Sequence, residues 1–315
     1  MTRRAWTLGA LAATACASPE PEPQPQQETA AQPQPWLLDL HCDTPMRITR
    51  EDFDLGKRND YGQVDIPRMR EGGVTGVYFS VYCPAKRGAT PESVQEALEI
   101  MDAIRREVAR HPQDLVLADS VLAMERAREQ GKIAILMGVE GGHMINSSLA
   151  VLRTLHALGG RYLTLTHSKH TPWAGSSGDT AADDPGLTEQ GREIVVEMNR
   201  LGMMVDVSHI SDKTFWDAMG ATAVPVIASH SSCRAISKHP RNMTDEMIQR
   251  VAENGGVVHI NYYNGFLSDE YRAKAGQVEH FERQLADARK RLNGNNGELA
   301  AEEWRIQMRK IEEIG

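Results

Sequence analysis

The chain is poor in cysteine, with Cys16, Cys42, Cys83 and Cys233 its four examples, and these form no C-x-x-C pair and no zinc-ribbon spacing. That pattern excludes a thiolate metal site and a dense disulfide framework, and leaves a single bridge open. An excess of basic residues is also missing. Lys plus Arg number 35 against 43 for Asp plus Glu, a formal charge of -8, which argues against a nucleic-acid groove and otherwise speaks to solubility. Neither a GxGxxG fingerprint nor a P-loop occurs. The apolar run near the N-terminus, AWTLGALAATA, lacks the length of a permanent membrane span. From Ser18 to Pro35 the segment SPEPEPQPQQETAAQPQP has no aromatic and no aliphatic side chain beyond Ala, so it cannot offset its own ordering entropy and reads as a semi-extended tether.

The first residues instead read as export. Arg3 and Arg4 precede the apolar run, and Ala13-Thr14-Ala15-Cys16 follows it like a relaxed lipobox. Residues 1–16 are therefore expected to be a signal peptide or lipoprotein signal. In the second case Cys16 becomes a lipid anchor, and the product is exported to the periplasm and held at the bacterial outer membrane. Cleavage without lipidation is the blander alternative, and the arginine pair also hints at twin-arginine export. Residues 17–35 form the tether, and the folded domain is expected over 36–315.

Beyond Trp36 one local grammar recurs: a polar helical stretch, one or two glycines, then an apolar strand. It appears as EGG-VTGVYFSVY from Glu71, EQG-KIAILMGV from Glu129, ALGG-RYLTLT from Ala157, RLG-MMVDVS from Arg200 and ENGG-VVHINYY from Glu253. Glycine just past a helix takes the left-handed cap conformation without a Cβ penalty, so each junction stops a helix and starts a strand. Ser211 and Thr244, each followed by acids, read as helix starts. With LLDLHCD and VPVIASH the count reaches seven near-continuous apolar strands, of the kind covered on both faces. The class is α/β with parallel strands. A TIM-type (β/α)8 barrel is favoured over an open doubly wound sheet, because chemistry-bearing residues follow strand after strand rather than clustering at one switch point. Residues 269–315 are charged and helical in period, interrupted at Asn293 to Gly297, and read as two exposed helices of an insertion. No eighth apolar strand follows them. The barrel is thus expected to lack its eighth strand because the sequence in hand is C-terminally incomplete, a miscounted strand being the other explanation.

Five metal-grade side chains stand at or just past strand ends: His41 and Asp43 in LLDLHCD, Glu140 in KIAILMGVE, His209 in MMVDVSH and His230 in VPVIASH. The two-residue strand period puts Asp39, His41 and Asp43 on one face. Glu140 is followed by Gly141-Gly142, where the backbone can turn sharply and present a carboxylate able to bridge two ions. His209 and His230 offer neutral imidazoles suited to zinc. Alone, each residue has a bland reading as a turn acid or a satisfied polar histidine. Five on successive rim positions favour a shared partner, since burying so many ionisable groups independently is costly.

The segments HCDTP at 41–45, GVEGG at 138–142, RYLTLTHSKHTPWA at 161–174, VDVSHIS at 205–211, ASHSSCRAI at 228–236 and HPRNMTDE at 239–246 resemble the renal or membrane dipeptidases, the zinc dipeptidases of peptidase family M19. The resemblance runs from about Trp36 to Phe266. It implies two zinc ions per chain, His41 and Asp43 on one, His209 and His230 on the other, and Glu140 bridging them. It further implies hydrolysis of dipeptides by a metal-bridging hydroxide, with Glu140 and His167 as catalytic residues. His167 contacts the substrate carbonyl and the tetrahedral intermediate, while Arg241 holds the free C-terminal carboxylate. Where the family has a Gly-rich Asp-Phe-Asp strand whose Asp engages the substrate amine, residues 269–315 show no counterpart, and that role falls to no residue here.

Other residues carry less. His143, His170 and His239 fall in loops, and His259 is expected to pack within its strand. Tyr262 or Tyr263 adds a hydroxyl to the carboxylate pocket or merely packs. Parity sets Asp206 opposite His209, leaving Asp39 as the better supporting acid. Two other functions compete with the dipeptidase: a binuclear metal-dependent amidohydrolase for a lactone, cyclic amide or phosphoester, and a tethered metal-binding envelope protein without catalysis. Oligomeric state is open between monomer and homodimer.

Overall fold

In the computed structural model, which describes residues 36–314 apart from 52, 61, 181, 182 and 293–295, all seven expected strands are present. They are β1 (Leu38–Cys42), β2 (Gly76–Val81), β4 (Ile133–Glu140), β5 (Gly160–Thr164), β6 (Met204–Asp206), β7 (Ile227–Ser231) and β8 (Val257–Ile260), and a further short strand, β3 (Leu115–Leu117), was not anticipated. Hydrogen bonding runs β1-β2-β4-β5-β6-β7-β8, every pair parallel, with β3 beside the start of β4. This is a nearly closed parallel barrel of seven staves. No ladder joins β8 to β1 among the described residues. A cavity of about 760 Å³ lies between these two strands, lined among others by Leu38, Asp39, Val258 and Ile260.

The apolar runs behave as two-sided burial demands: every residue of β2 and of β4 is buried. Helices cover the outer face. The longest barrel helix, Pro91–Arg110, buries Ala97, Ile100, Met101, Ile104 and Val108, the spacing of one helical stripe. Its start is fixed by Thr90, whose side chain accepts from the Ser93 amide. Full burial of Ile104 contributes roughly 2 kcal/mol. The anticipated starts at Ser211 and Thr244 are likewise N-caps, accepting from the Thr214 and Met247 amides.

The C-terminal segment forms two helices, Asp269–Arg291 and Asn296–Ile314, as its period predicted. They share a small core of Phe281, Leu285, Ala288 and Ile306. Among the described residues no helix is long and apolar enough to cross a membrane. The expectations for residues 1–16, the anchor Cys16 and the 17–35 tether lie outside the described residues.

Candidate metal centre

Parallel strands of one barrel end on one rim, so side chains distant in sequence meet there. Glu140 closes β4 and is buried. Four imidazoles surround its Oε1: His209 Nε2 at 3.1 Å, His41 Nε2 and His230 Nε2 at 3.4 Å each, and His167 Nε2 at 3.7 Å. Asp43 joins through His41, with 3.5 Å between Oδ1 and Nε2. His41 stacks on His230, and His167 on His209, with ring centroids 3.8 and 4.2 Å apart. The seven residues singled out from sequence, Arg241 included, line one pocket of about 290 Å³ with Met46, Tyr82, Asn261, Tyr263 and Phe266. That volume suits a small substrate.

Local backbone explains the convergence. A Cβ on Gly142 would run into the Trp173 ring and the Leu165 carbonyl oxygen, so the turn after Glu140 needs glycine there. His209 lies beyond β6 with φ at 67°, a left-handed conformation that costs a non-glycine residue on the order of 1 kcal/mol. Its carbonyl holds it there, accepting from the Ser177 amide at 2.8 Å, the Ser177 hydroxyl at 3.0 Å and the Thr166 hydroxyl at 3.2 Å.

The electrostatics are those of a site made for a cation. Burial pushes Glu140 up to about 7. For His41 burial acts downward, but the Glu140 and Asp43 carboxylates outweigh it and raise the group to about 9. Asp43 also works against burial, and its contacts with His41 keep it below its ordinary value. Burial first and Arg241 second push His167 down to about 4. His209 and His230 fall well below the ordinary imidazole range, chiefly through burial. Arg241, buried and brought down to about 10, donates from Nη2 to the His230 carbonyl at 3.1 Å and stacks over Phe266.

One carboxylate oxygen has two lone pairs and cannot accept from four ring N–H groups. At least two imidazoles must therefore turn lone pairs toward Glu140. His209 Nε2 and His230 Nε2 lie 2.8 Å apart, close enough to share one proton or, with both lone pairs turned the same way, to hold one ion side by side. Two triads are close enough to ligate, His41/Glu140/His230 and Glu140/His167/His209, with Glu140 common to both. The donor set of imidazole and carboxylate fits zinc, and manganese or cobalt as well.

A third cluster lies elsewhere: Asp54, Glu107 and His111, on the loop before the Ile66–Glu71 helix and at the Pro91–Arg110 helix end. The other histidines stand outside the ring around Glu140. His143 is buried with Nε2 near the Cys83 carbonyl and thiol, His170 Nδ1 accepts from the Ser176 amide, and His239 packs on Phe266. Both tyrosines are exposed, but only Tyr263 also lines the metal pocket. Asp39 is exposed and accepts from the His41 amide, and His259 faces the seam between β1 and β8.

Two residues escaped the sequence reading. Tyr82, one residue beyond β2, packs its ring 4.7 Å from His167; its rim position was the available signal. Asp206, set aside on parity, is fully buried and accepts four hydrogen bonds within the site's support.

The sequence profile of the membrane dipeptidase family (peptidase family M19) matches residues 26–289. An uncharacterized dipeptidase of Schizosaccharomyces pombe is 40% identical over 244 residues, 74% of this chain and 58% of the relative. The chain thus spans little more than half the length of that curated relative. Among solved structures, the family M19 metallopeptidase called dipeptidase AC superposes with a TM-score of 0.67 at 28% identity, over 74% of each chain. A metallopeptidase of Rhodobacter sphaeroides, liganded with a phosphinate mimic of the dipeptide L-Ala-D-Ala, gives 0.67 at 28% over 74% of this chain and 76% of its own.

Proposed function

The chain belongs to the membrane dipeptidase family, peptidase family M19, and on that premise we propose that it is a zinc-dependent dipeptidase holding two zinc ions. The observation that carries this reading is the ring of four imidazole nitrogens around Glu140 Oε1. In this reading, whose pairing follows the family resemblance where the two triads instead group His41 with His230 and His167 with His209, His41 and Asp43 hold one ion, His209 and His230 the other, and Glu140 is shared. Bound divalent ions supply a water acidified to near neutral pH and a polarised carbonyl.

The chain's own residues do the rest. Arg241 is a buried guanidinium in the same pocket, fitted to a planar carboxylate by a two-pronged hydrogen bond. A carboxylate held there puts the scissile bond one residue in from the C-terminus, which selects dipeptides in a pocket of this size. His167 donates an N–H to the carbonyl oxygen as charge builds on it, and such a donor is worth about 3 kcal/mol in the transition state. Tyr82 backs the His167 ring and keeps that donor oriented.

The test is hydrolysis by the zinc-loaded protein of L-Ala-L-Ala and L-Ala-D-Ala, beside the dipeptide amide, a lactone and a phosphotriester. Turnover of the free dipeptides with loss on the amide is the expected result. Turnover of the lactone or phosphotriester alone favours the amidohydrolase alternative, and zinc binding without any turnover favours the non-catalytic one. The protein is further proposed to be exported and lipid-anchored through Cys16, on the strength of the N-terminal residues alone. Metabolic labelling with a radioactive fatty acid, lost in Cys16→Ser, checks that.

A further inference from the structure

Each ring nitrogen that faces Glu140 has a partner nitrogen on the other side of its imidazole, and for two of the histidines the partner's hydrogen bond is fully determined. The Ser229 hydroxyl lies 2.7 Å from Asp206 Oδ2 and 2.7 Å from His230 Nδ1. A carboxylate only accepts, so the single serine hydrogen goes to Asp206 and His230 Nδ1 must donate to Ser229 Oγ. Tyr162 repeats the logic: its hydroxyl donates to the Leu40 carbonyl at 3.1 Å and so receives the proton of His41 Nδ1 at 2.9 Å. A neutral His230 therefore carries hydrogen on Nδ1 and a lone pair on the Nε2 that faces Glu140, and His41 Nδ1 likewise carries a hydrogen.

Asp206 is built to keep this order. Its Oδ2 also accepts from the Thr164 hydroxyl at 2.6 Å, and its Oδ1 accepts from the Ser208 amide at 3.0 Å and the Ser229 amide at 2.9 Å. Donors on β5, β7 and the segment after β6 thus fix one carboxylate, buried with Thr164, Ser208 and Ser229. The geometry points to Asp206 and Ser229 as positioning residues: a His230–Ser229–Asp206 relay holds His230 as the Nδ1–H tautomer and offers its Nε2 to the metal. Without Asp206 the serine hydrogen is free to turn toward His230 Nδ1, which drives the proton to Nε2 and blocks the ligand atom. The inference rests on the proposed metal centre and goes beyond it, because it names what makes that imidazole a ligand.

The test uses the whole chain, with and without zinc. In the metal-free protein, long-range nitrogen–proton NMR correlations report each ring's tautomer directly. Wild type is expected to show His230 as Nδ1–H, and Ser229→Ala and Asp206→Asn to shift it toward Nε2–H. Chelator competition should show zinc affinity about 10- to 100-fold weaker in both variants, with Ser229→Thr restoring tautomer and affinity together. Should Asp206→Asn fail to fold, Ser229→Ala and its Thr rescue carry the test. Wild-type affinity and an unchanged tautomer in Ser229→Ala overturn the relay while leaving the dipeptidase reading intact. A wild-type protein that takes up no zinc overturns both.

Discussion

Glu140 and Glu107 are both buried carboxylates that hold imidazoles, yet their charges are met in opposite ways. Glu107, with 2% of its side chain exposed, pairs with Arg110 at 3.0 Å and His111 at 3.2 Å and accepts from the Leu55 amide. Its neighbour Asp54 pairs with Lys57 at 2.8 Å and accepts from the Gly56 amide. Each acid of that cluster already has a cation of its own, and the result is a clasp tying the loop before the Ile66–Glu71 helix to the end of the Pro91–Arg110 helix. Around Glu140 every ion-pair partner among the described residues is a histidine, and most of those rings are neutral by burial. A triad of acid and imidazole within ligating distance is thus not enough to identify a metal site. What distinguishes the rim is one shared carboxylate ringed by imidazoles, three of which burial holds below the ordinary range.

The largest expected effect comes from Glu140→Gln. It removes the shared carboxylate, and dipeptide turnover should fall by about 1000-fold or more, several kcal/mol of barrier. Glu107→Gln leaves turnover per folded molecule and zinc content unchanged and costs about 1–3 kcal/mol of stability, read by urea denaturation. Equal loss of activity in both variants would erase the distinction.

Next in size is the response to zinc. Ligand present at about 100 times Kd stabilises a one-site protein by about 2.7 kcal/mol, so chelation should lower the melting temperature of wild type and of His111→Ala alike. His209→Ala should lose most of that shift. A shift that survives His209→Ala and disappears in His111→Ala would move the metal site to the clasp.

The rim half of this contrast was legible in the sequence, and the clasp half, which was not read there, has a physical reason for its silence. Strand-length apolar runs ending in HCD, VE and SH announce a barrel rim because burial on both faces leaves few other folds. The strand Leu115–Leu117 has three residues, too few to show a period. Asp206 was misjudged because parity describes only its own strand, whereas its partners Thr164 and Ser229 stand 42 and 23 positions away. Glu107 and His111 sit one helical turn apart and could be paired from sequence, but nothing in the sequence brings Asp54 and its lysine beside them. Arg110 is the visible hint that this acid is already neutralised.

The smallest effects sharpen the contrast from the clasp's side. Lys57 holds Asp54 below its ordinary value, so the pair's stabilisation is present above about pH 4 and is lost as pH falls through the lowered value. As a largely exposed pair it is worth under about 1 kcal/mol, and Lys57→Met should flatten that limb of the acid stability curve. Adding Arg110→Met strips the clasp of its second cation. The double variant should then bind zinc weakly at Asp54, Glu107 and His111, detectable as an extra equivalent by calorimetry that wild type lacks.

The most direct measurement is anomalous diffraction at the zinc edge from crystals of the zinc-loaded protein. The account predicts two peaks per chain about 3.5–4 Å apart, both bonded to Glu140, one beside His41 and the other beside His209 and His230, with no density at Glu107. A peak at Asp54, Glu107 and His111, or none between Glu140 and the four imidazoles, would contradict it.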